Sequence, residues 1–185
     1  MAEARKPRAG MFVPSDEDPR NCETTDHGER SVLADYLSFH RRTLELKCSG
    51  LSAGQLAQRS AEPSTMSLLG LVRHMADVER HWFRQVLSRD DVPRRYRTDE
   101  DHDADFNGAT ADPQIVEEAW AAWREEVAYA NRCVERFDDL GTTVPLGDDE
   151  EVAVREVLVH MIEEYARHCG HADLLRERID GRVGQ

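Results

Sequence analysis

Near the C-terminus, in VHMIEEYARHCGHADLLRERID, stand His160, Glu164, His168 and His171, side chains that bind divalent metal ions. A helix turns once every ~3.6 residues, so positions four apart share a face and lie about 6 Å apart along the axis. Glu164 and His168 therefore form a candidate pair of ligands, and His160 and His171 extend the same face one turn before and one after. Two ligands do not make a catalytic site: a zinc or comparable ion needs about three protein ligands and an open position. Another helix must supply the third. For the pair itself, an exposed i,i+4 charge pair is an equal alternative to ligation.

Upstream, STMSLLGLVRHMADVERHWFRQVL reads as a second helix, with Ser64 or Thr65 as N-cap. Leu68, Leu71, Val72, Met75, Val78, Trp82 and Val86 form its apolar stripe. His74 falls at the stripe's edge. A metal shared by His74, Glu164 and His168 would remove the cost of burying an unpaired carboxylate, yet spacing alone is equally consistent with a packed, hydrogen-bonded histidine. His27, His40, His81 and His102 have no partner spacing and read as structural or exposed. Cys169, next to His168 but rotated about 100° around the helix, is not expected to be a ligand. Arg73 is a candidate guide for an anionic substrate, although its helical angle turns it away from His74.

These residues need a scaffold. From Ser31, Leu33, Leu37, His40 and Leu44 mark a first helix ending near Gly50. A third starts at Pro113, a residue suited to a first helical turn, and carries Val116, Trp120, Trp123, Val127, Ala130, Val134 and Phe137. Gly141, Pro145 and Gly147 break it before a fourth helix from about Glu150 to Asp180. With no convincing period-two pattern, the expected class is all-α, a four-helix bundle over residues 29–185, preceded by an extended or disordered arm over residues 1–28 that holds Pro7, Pro14 and Pro19. Between the second and third helices, Asp103, Asp105, Asn107 and Gly108 match the first half of a calcium loop. Gln114 stands where the bidentate glutamate belongs, so this segment reads as a solvated loop.

Composition narrows the function. At 185 residues the chain suits one domain without disulfide or metal staples. Cys22, Cys48, Cys133 and Cys169 show no CxxC spacing and read as free thiols in a reducing cytoplasm. The N-terminus has no apolar run of a signal peptide, and no stretch is long and apolar enough for a membrane span. A formal charge of −13 and a pI near 5.0 argue against nucleic acid as partner. Lys6 and Lys47 are the only lysines among 24 basic residues, an arginine excess read as coding bias rather than as a binding surface.

Taken together, LADYLSFHRRTLELKCSGL, STMSLLGLVRHMADVERHWF and HMIEEYARHCGHADLLRERIDG resemble the DinB-like superfamily, in a branch long known only as a domain of unknown function and related to mycothiol-dependent maleylpyruvate isomerase. The resemblance covers about residues 31–181. It implies a four-helix bundle, often dimeric, holding a divalent metal through one residue of the second helix and two of the fourth. Carried over, these are His74, Glu164 and His168, selected over His160 and His171. Many members have His-x3-His before Arg-Gly-Gln; here Glu164 and His168 precede Cys169, Gly170 and His171, and the glutamate matches the maleylpyruvate isomerase branch.

The resemblance further implies zinc as the first expectation, with nickel or iron as alternatives, and a small thiol such as mycothiol as co-substrate. The enzyme so implied is a metal-dependent S-transferase or isomerase working as a cytoplasmic homodimer, with His171 or His160 as a proton shuttle or an orienting partner. A non-catalytic metal- or small-ligand-binding module of stress response is the second hypothesis, and a plain helical scaffold for protein partners the third.

Overall fold

A computed structural model describes residues 12–21, 26–147 and 149–184, and the rest of the expected arm, residues 1–11 and 22–25, lies outside the described residues. The chain is predominantly helical. Four long helices carry the core: α1 (Glu29–Cys48), α3 (Leu68–Glu79), α5 (Pro113–Glu135) and α6 (Val154–Asp180), with short helices α2 (Ala53–Ala57) and α4 (Ala104–Asn107) between them. α1 packs chiefly on α6, α3 on α5, and α3 also meets α6. Among the described residues no helix is long and apolar enough to cross a membrane.

Local chemistry sets the helix ends. Ser67, not Ser64 or Thr65, caps α3, its hydroxyl accepting the Gly70 N–H at 3.0 Å. Asp112 caps α5 by accepting the Gln114 N–H at 2.9 Å, with Pro113 in the first turn. α6 begins four residues later than expected. Glu151–Ala153 instead form strand β2, paired antiparallel with β1 (Thr143–Pro145), and Glu156 then closes the helix start by accepting the Ala153 N–H at 2.7 Å. The hairpin lies in a linker where no convincing period-two pattern was expected; three-residue strands are too short to show a period in sequence. Gly181, at φ 75°, ends α6 in the left-handed conformation that costs glycine least.

α3 does not stop at Glu79. Arg80–Leu87 continue it as π-helix, seen in the i→i+5 bond from the Ser88 N–H to the Phe83 carbonyl at 3.2 Å. The wider turn turns Phe83, Val86 and Leu87 into the core and leaves His81, Trp82 and Arg84 half-buried. The apolar core joins Leu37 and Leu44 of α1 to Leu71, Met75, Trp123, Met161 and Leu175. Residues 12–21 lie against this body, with Phe12 buried under the cations of Lys47, Arg176 and Arg182, the last 3.8 Å from its ring centre.

Charges also lie inside. Glu79 is fully buried and takes both Nε and Nη2 of Arg41, each at 2.7 Å, while the Tyr165 hydroxyl donates to it at 2.8 Å. The Trp123 indole N–H donates to Tyr165 at 2.8 Å, so one network ties α1, α3, α5 and α6. Burial alone would lower the pKa of Arg41; the charge of Glu79 and its hydrogen bonds raise it instead. Glu126 of α5, also buried, receives Arg80 at 2.8 Å, Arg84 at 2.6 Å and Arg95 at 2.8 Å. Burial pushes its carboxyl upward, but those three donors win and hold it below the usual range.

Candidate metal centre

α3 and α6 cross where His74 faces Glu164 and His168. One candidate ligand atom from each lies within 4.8 Å of the other two. All three side chains are largely enclosed, at 16%, 20% and 13% exposure. His168 Nε2 is 3.5 Å from a Glu164 oxygen, and the rings of His74 and His168 are tilted against each other at 4.8 Å between centres. The α6 core line itself runs through Tyr165 and Cys169, both buried, which places Glu164 and His168 on its flank facing α3.

Each histidine is held by its other nitrogen. His74 Nδ1 meets Asp105 Oδ2 at 2.8 Å, and His168 Nδ1 meets His171 Nδ1 at 3.3 Å. In both rings Nε2 is left as the ligand atom, the arrangement in which a carboxylate or second polar group fixes the tautomer of a metal-binding histidine. Asp105 is only 1% exposed and reaches this place from α4. The half calcium loop thus does something else: Asp103 stands at the N-cap position of α4, and Asp105 turns inward to His74.

A glycine makes the approach possible. A Cβ at Gly70, one turn before His74, would come 2.5 Å from the Phe106 ring, so only glycine lets α4 press against α3 here. Phe106 then stacks on His74 at 5.5 Å with a 28° interplanar angle. In the sequence nothing marked Gly70, and Asp105 stood out only within the half calcium loop, not as a partner of His74. Their contribution depends on a contact spanning 31 residues between His74 and Asp105.

Burial, helped by the neighbouring His74 and His171 and by Arg167, lowers the pKa of His168 to about 4. At neutral pH its imidazole is therefore the uncharged form that coordinates metal. The donor set fits a divalent ion. Ideal tetrahedral bonds of about 2.0–2.1 Å would put ligand atoms ~3.4 Å apart, so the three groups are within a side-chain adjustment of that spacing.

The remaining candidates lie around this group. His160 is 4.0 Å from Glu164 through Nε2, more exposed, and packed on Trp82 at 4.6 Å between ring centres. His171 touches His168 rather than Glu164. His81, read as structural or exposed, is half-buried, lies beside Trp82 and bonds Gln85 at 2.7 Å. Arg73 is already engaged, donating to the Asp105 and Ala104 carbonyls at 2.7 and 3.0 Å. Cys169 points away, its thiol on the His40 carbonyl at 3.5 Å. Cys48, Cys133 and Cys169 are free and buried, and Cys22 lies outside the described residues. Burial pushes the thiols of Cys48 and Cys169 up to about 12, the opposite of an activated nucleophile.

No curated protein and no solved structure matches the chain. A family model does: the one described as Mycothiol-S-transferase aligns with residues 32–181, a span that holds all four long helices apart from the first turn of α1 and includes His74, Asp105, Glu164 and His168. The chain belongs to the mycothiol S-transferase family, within the DinB-like proteins.

Proposed function

We propose that this protein is a metal-dependent thiol S-transferase, built on a DinB-like four-helix bundle, that joins a low-molecular-weight thiol such as mycothiol to a small electrophile. The observation that carries this reading is the convergence of His74, Glu164 and His168 in a member of this family. The high pKa values of Cys48 and Cys169 add to it, because a thiol brought in as co-substrate is then the natural nucleophile. In this reading the chain works as a cytoplasmic homodimer and zinc is the first choice of ion.

His74, Glu164 and His168 would hold the ion, and the chemistry it supplies is a lowered thiol pKa, so that the nucleophilic thiolate forms at neutral pH. Asp105 fixes the His74 ring and sharpens its Nε2 as a donor, and His171 does the same for His168. The thiol proton leaves by way of His160 or His171, the two imidazoles at the edge of the cluster. The sulfur then forms a bond to the electrophilic carbon, and the leaving group departs with its bonding pair. The half-buried setting limits water at the reacting atoms.

The test pairs metal analysis with turnover. Purified wild type is expected to hold about one divalent ion per chain and to couple mycothiol to an aryl halide, while His74→Ala, Glu164→Ala and His168→Ala lose the ion. Turnover should fall at least about 100-fold in each, the scale of losing a group that acts on the nucleophile. Full transfer by metal-free protein would overturn the proposal. Stoichiometric metal with no transfer to any electrophile would favour the ligand-binding module instead.

A further inference from the structure

α1 lies on α6 and α5 on α3, but α1 and α5 barely meet. The side chains between them include the short Ala34, Ser38 and Ala128, and they leave a cleft of about 750 Å³, within the size range of small-molecule sites. Polar struts span this cleft in place of apolar packing. At one end Arg30 donates to the Val134 carbonyl at 2.9 Å and to the carbonyl of Phe137. In the middle Arg41 donates to Asn131 Oδ1 at 2.9 Å, and at the other end Arg124 stands 3.9 Å from Glu45. The struts ascend α1 as they descend α5, so the two helices run antiparallel. His74, Glu164 and His168 do not line the cleft.

Its walls are apolar, formed by Leu37, Phe83, Trp123, Val127 and Leu158. Its polar centre is one-sided. Arg41, 6% exposed, gives Nε and Nη2 to Glu79 and Nη1 to Asn131, which uses three of the five N–H donors of a guanidinium. Asn131 has its oxygen taken by that bond, and among the described residues its amide N–H groups have no acceptor. The middle of the cleft therefore presents donors to whatever enters. Charge adds no preference for an ion: around the rim Arg30, Arg42 and Arg124 are balanced by Asp35, Glu45 and Glu135, and Glu79 answers Arg41. An ion of either sign would lose water against the apolar walls with no net opposite charge to repay it.

We propose that the α1/α5 cleft binds an uncharged, mainly apolar small molecule through a carbonyl oxygen that accepts from the Asn131 amide beside Arg41, with its apolar body against Trp123 and Val127. This is a second site, apart from the metal-binding group, and its occupation requires neither the ion nor the thiol-transfer reading.

Benzophenone, an uncharged diaryl ketone, is the probe, and diphenylmethane, of similar shape without the carbonyl, is the control. Equilibrium dialysis of the full chain is expected to show saturable binding of benzophenone, and irradiation of the complex, which inserts the ketone carbon into a nearby C–H bond, should label peptides of α1 and α5. Asn131→Asp keeps an oxygen for Arg41 and removes the amide donors. It should weaken benzophenone by about 5- to 10-fold, the scale of one hydrogen bond, and leave diphenylmethane within about twofold, the ordinary scatter of a surface change. Val127→Trp should block both probes by filling the cleft, and His168→Ala should leave both bound as before. If Val127→Trp fails to fold, the milder Asn131→Asp still decides the matter. Benzophenone binding that does not saturate, that survives either cleft substitution undiminished, or that labels only other helices would overturn the proposal. So would a dimer in which α1 and α5 are shielded from labelling, since the cleft would then belong to a second copy of the chain.

Discussion

Glu164 and Tyr165 are neighbours on α6 and serve opposite purposes. About 100° of rotation separates them, enough to place Tyr165 in the core with Glu79, Arg41 and Trp123, and Glu164 on the flank with His74 and His168. Both regions put polar groups among apolar helices. In the first, the charged groups are answered within the protein: Glu79 by a bidentate guanidinium and a phenol, Arg41 also by Asn131 at 2.9 Å. In the second, the supporting atoms are answered and the converging ones are not. His74 and His168 spend Nδ1 on Asp105 and His171, while their Nε2 atoms and the Glu164 carboxylate converge on one another, with only His160 beside them, 4.0 Å from Glu164, among the described residues. A satisfied buried network fixes a fold; an incompletely satisfied one, with its supports satisfied, is a place for a ligand.

The comparison breaks first where its stability half is attacked. Glu79→Ala leaves Arg41 and Tyr165 buried without their acceptor, so we expect a loss of about 3–5 kcal/mol in urea unfolding, as for other broken buried pairs. The folded fraction should still bind its ion with unchanged affinity. If metal affinity fell as steeply as stability, the two regions would be one cooperative unit and the distinction would fail.

The converse substitution is milder. Asp105→Asn keeps an oxygen for the Phe106 N–H, which now bonds Oδ1 at 3.0 Å, but removes the charge that holds His74. Metal affinity measured against a chromogenic chelator should drop about 10- to 100-fold, the usual cost of losing such a partner. Unfolding of the metal-free protein should hardly change. An unaltered affinity would show that α4 only covers His74 and does not tune it.

The two regions were unequally legible. The helical spacing of α5 and α6 and the apolar stripe of α3 were open to reading because burial repeats at 3.6 residues. The ligands on α6 were visible for the same reason, being four apart on one helix. The buried charges were not. Glu79 and Glu126 sit on helical faces that periodicity assigns to apolar side chains, and their partners Arg41 and Arg95 lie 38 and 31 residues away. Asp105 reads as part of a solvated loop because Gln114 stands where a calcium loop needs its glutamate; only the close approach of α4 at Gly70 turns it toward His74. The π-helical turns leave no periodic mark in so short a segment. His74 is intermediate: its place at the stripe's edge was clear, and the family resemblance, not the spacing, made it a ligand.

The smallest expected effect is of pH, and it separates the regions by sign as well as size. His168 has a folded pKa of about 4 against an ordinary 6.5, with burial the largest cause. Between those values the unfolded chain takes up a proton that the folded, metal-free protein refuses. Stability is therefore fully present above about pH 6.5 and declines as pH falls toward about 4, below which this group adds no further loss. His40 and His81 are shifted the same way, chiefly by burial, so the clean quantity is the difference between wild type and His168→Gln. Melting curves of chelator-treated protein should show wild type losing more stability than the variant between pH 7 and pH 4.5. Bound ion raises wild-type stability by mass action and competes with the proton for the same nitrogen, which should move the decline to lower pH. Arg41 and Tyr165 of the core network, whose guanidinium and phenol are pushed to higher pKa, keep their charge state across this interval and should not contribute. An equal pH response in wild type and variant would place the acid sensitivity outside the metal-binding group.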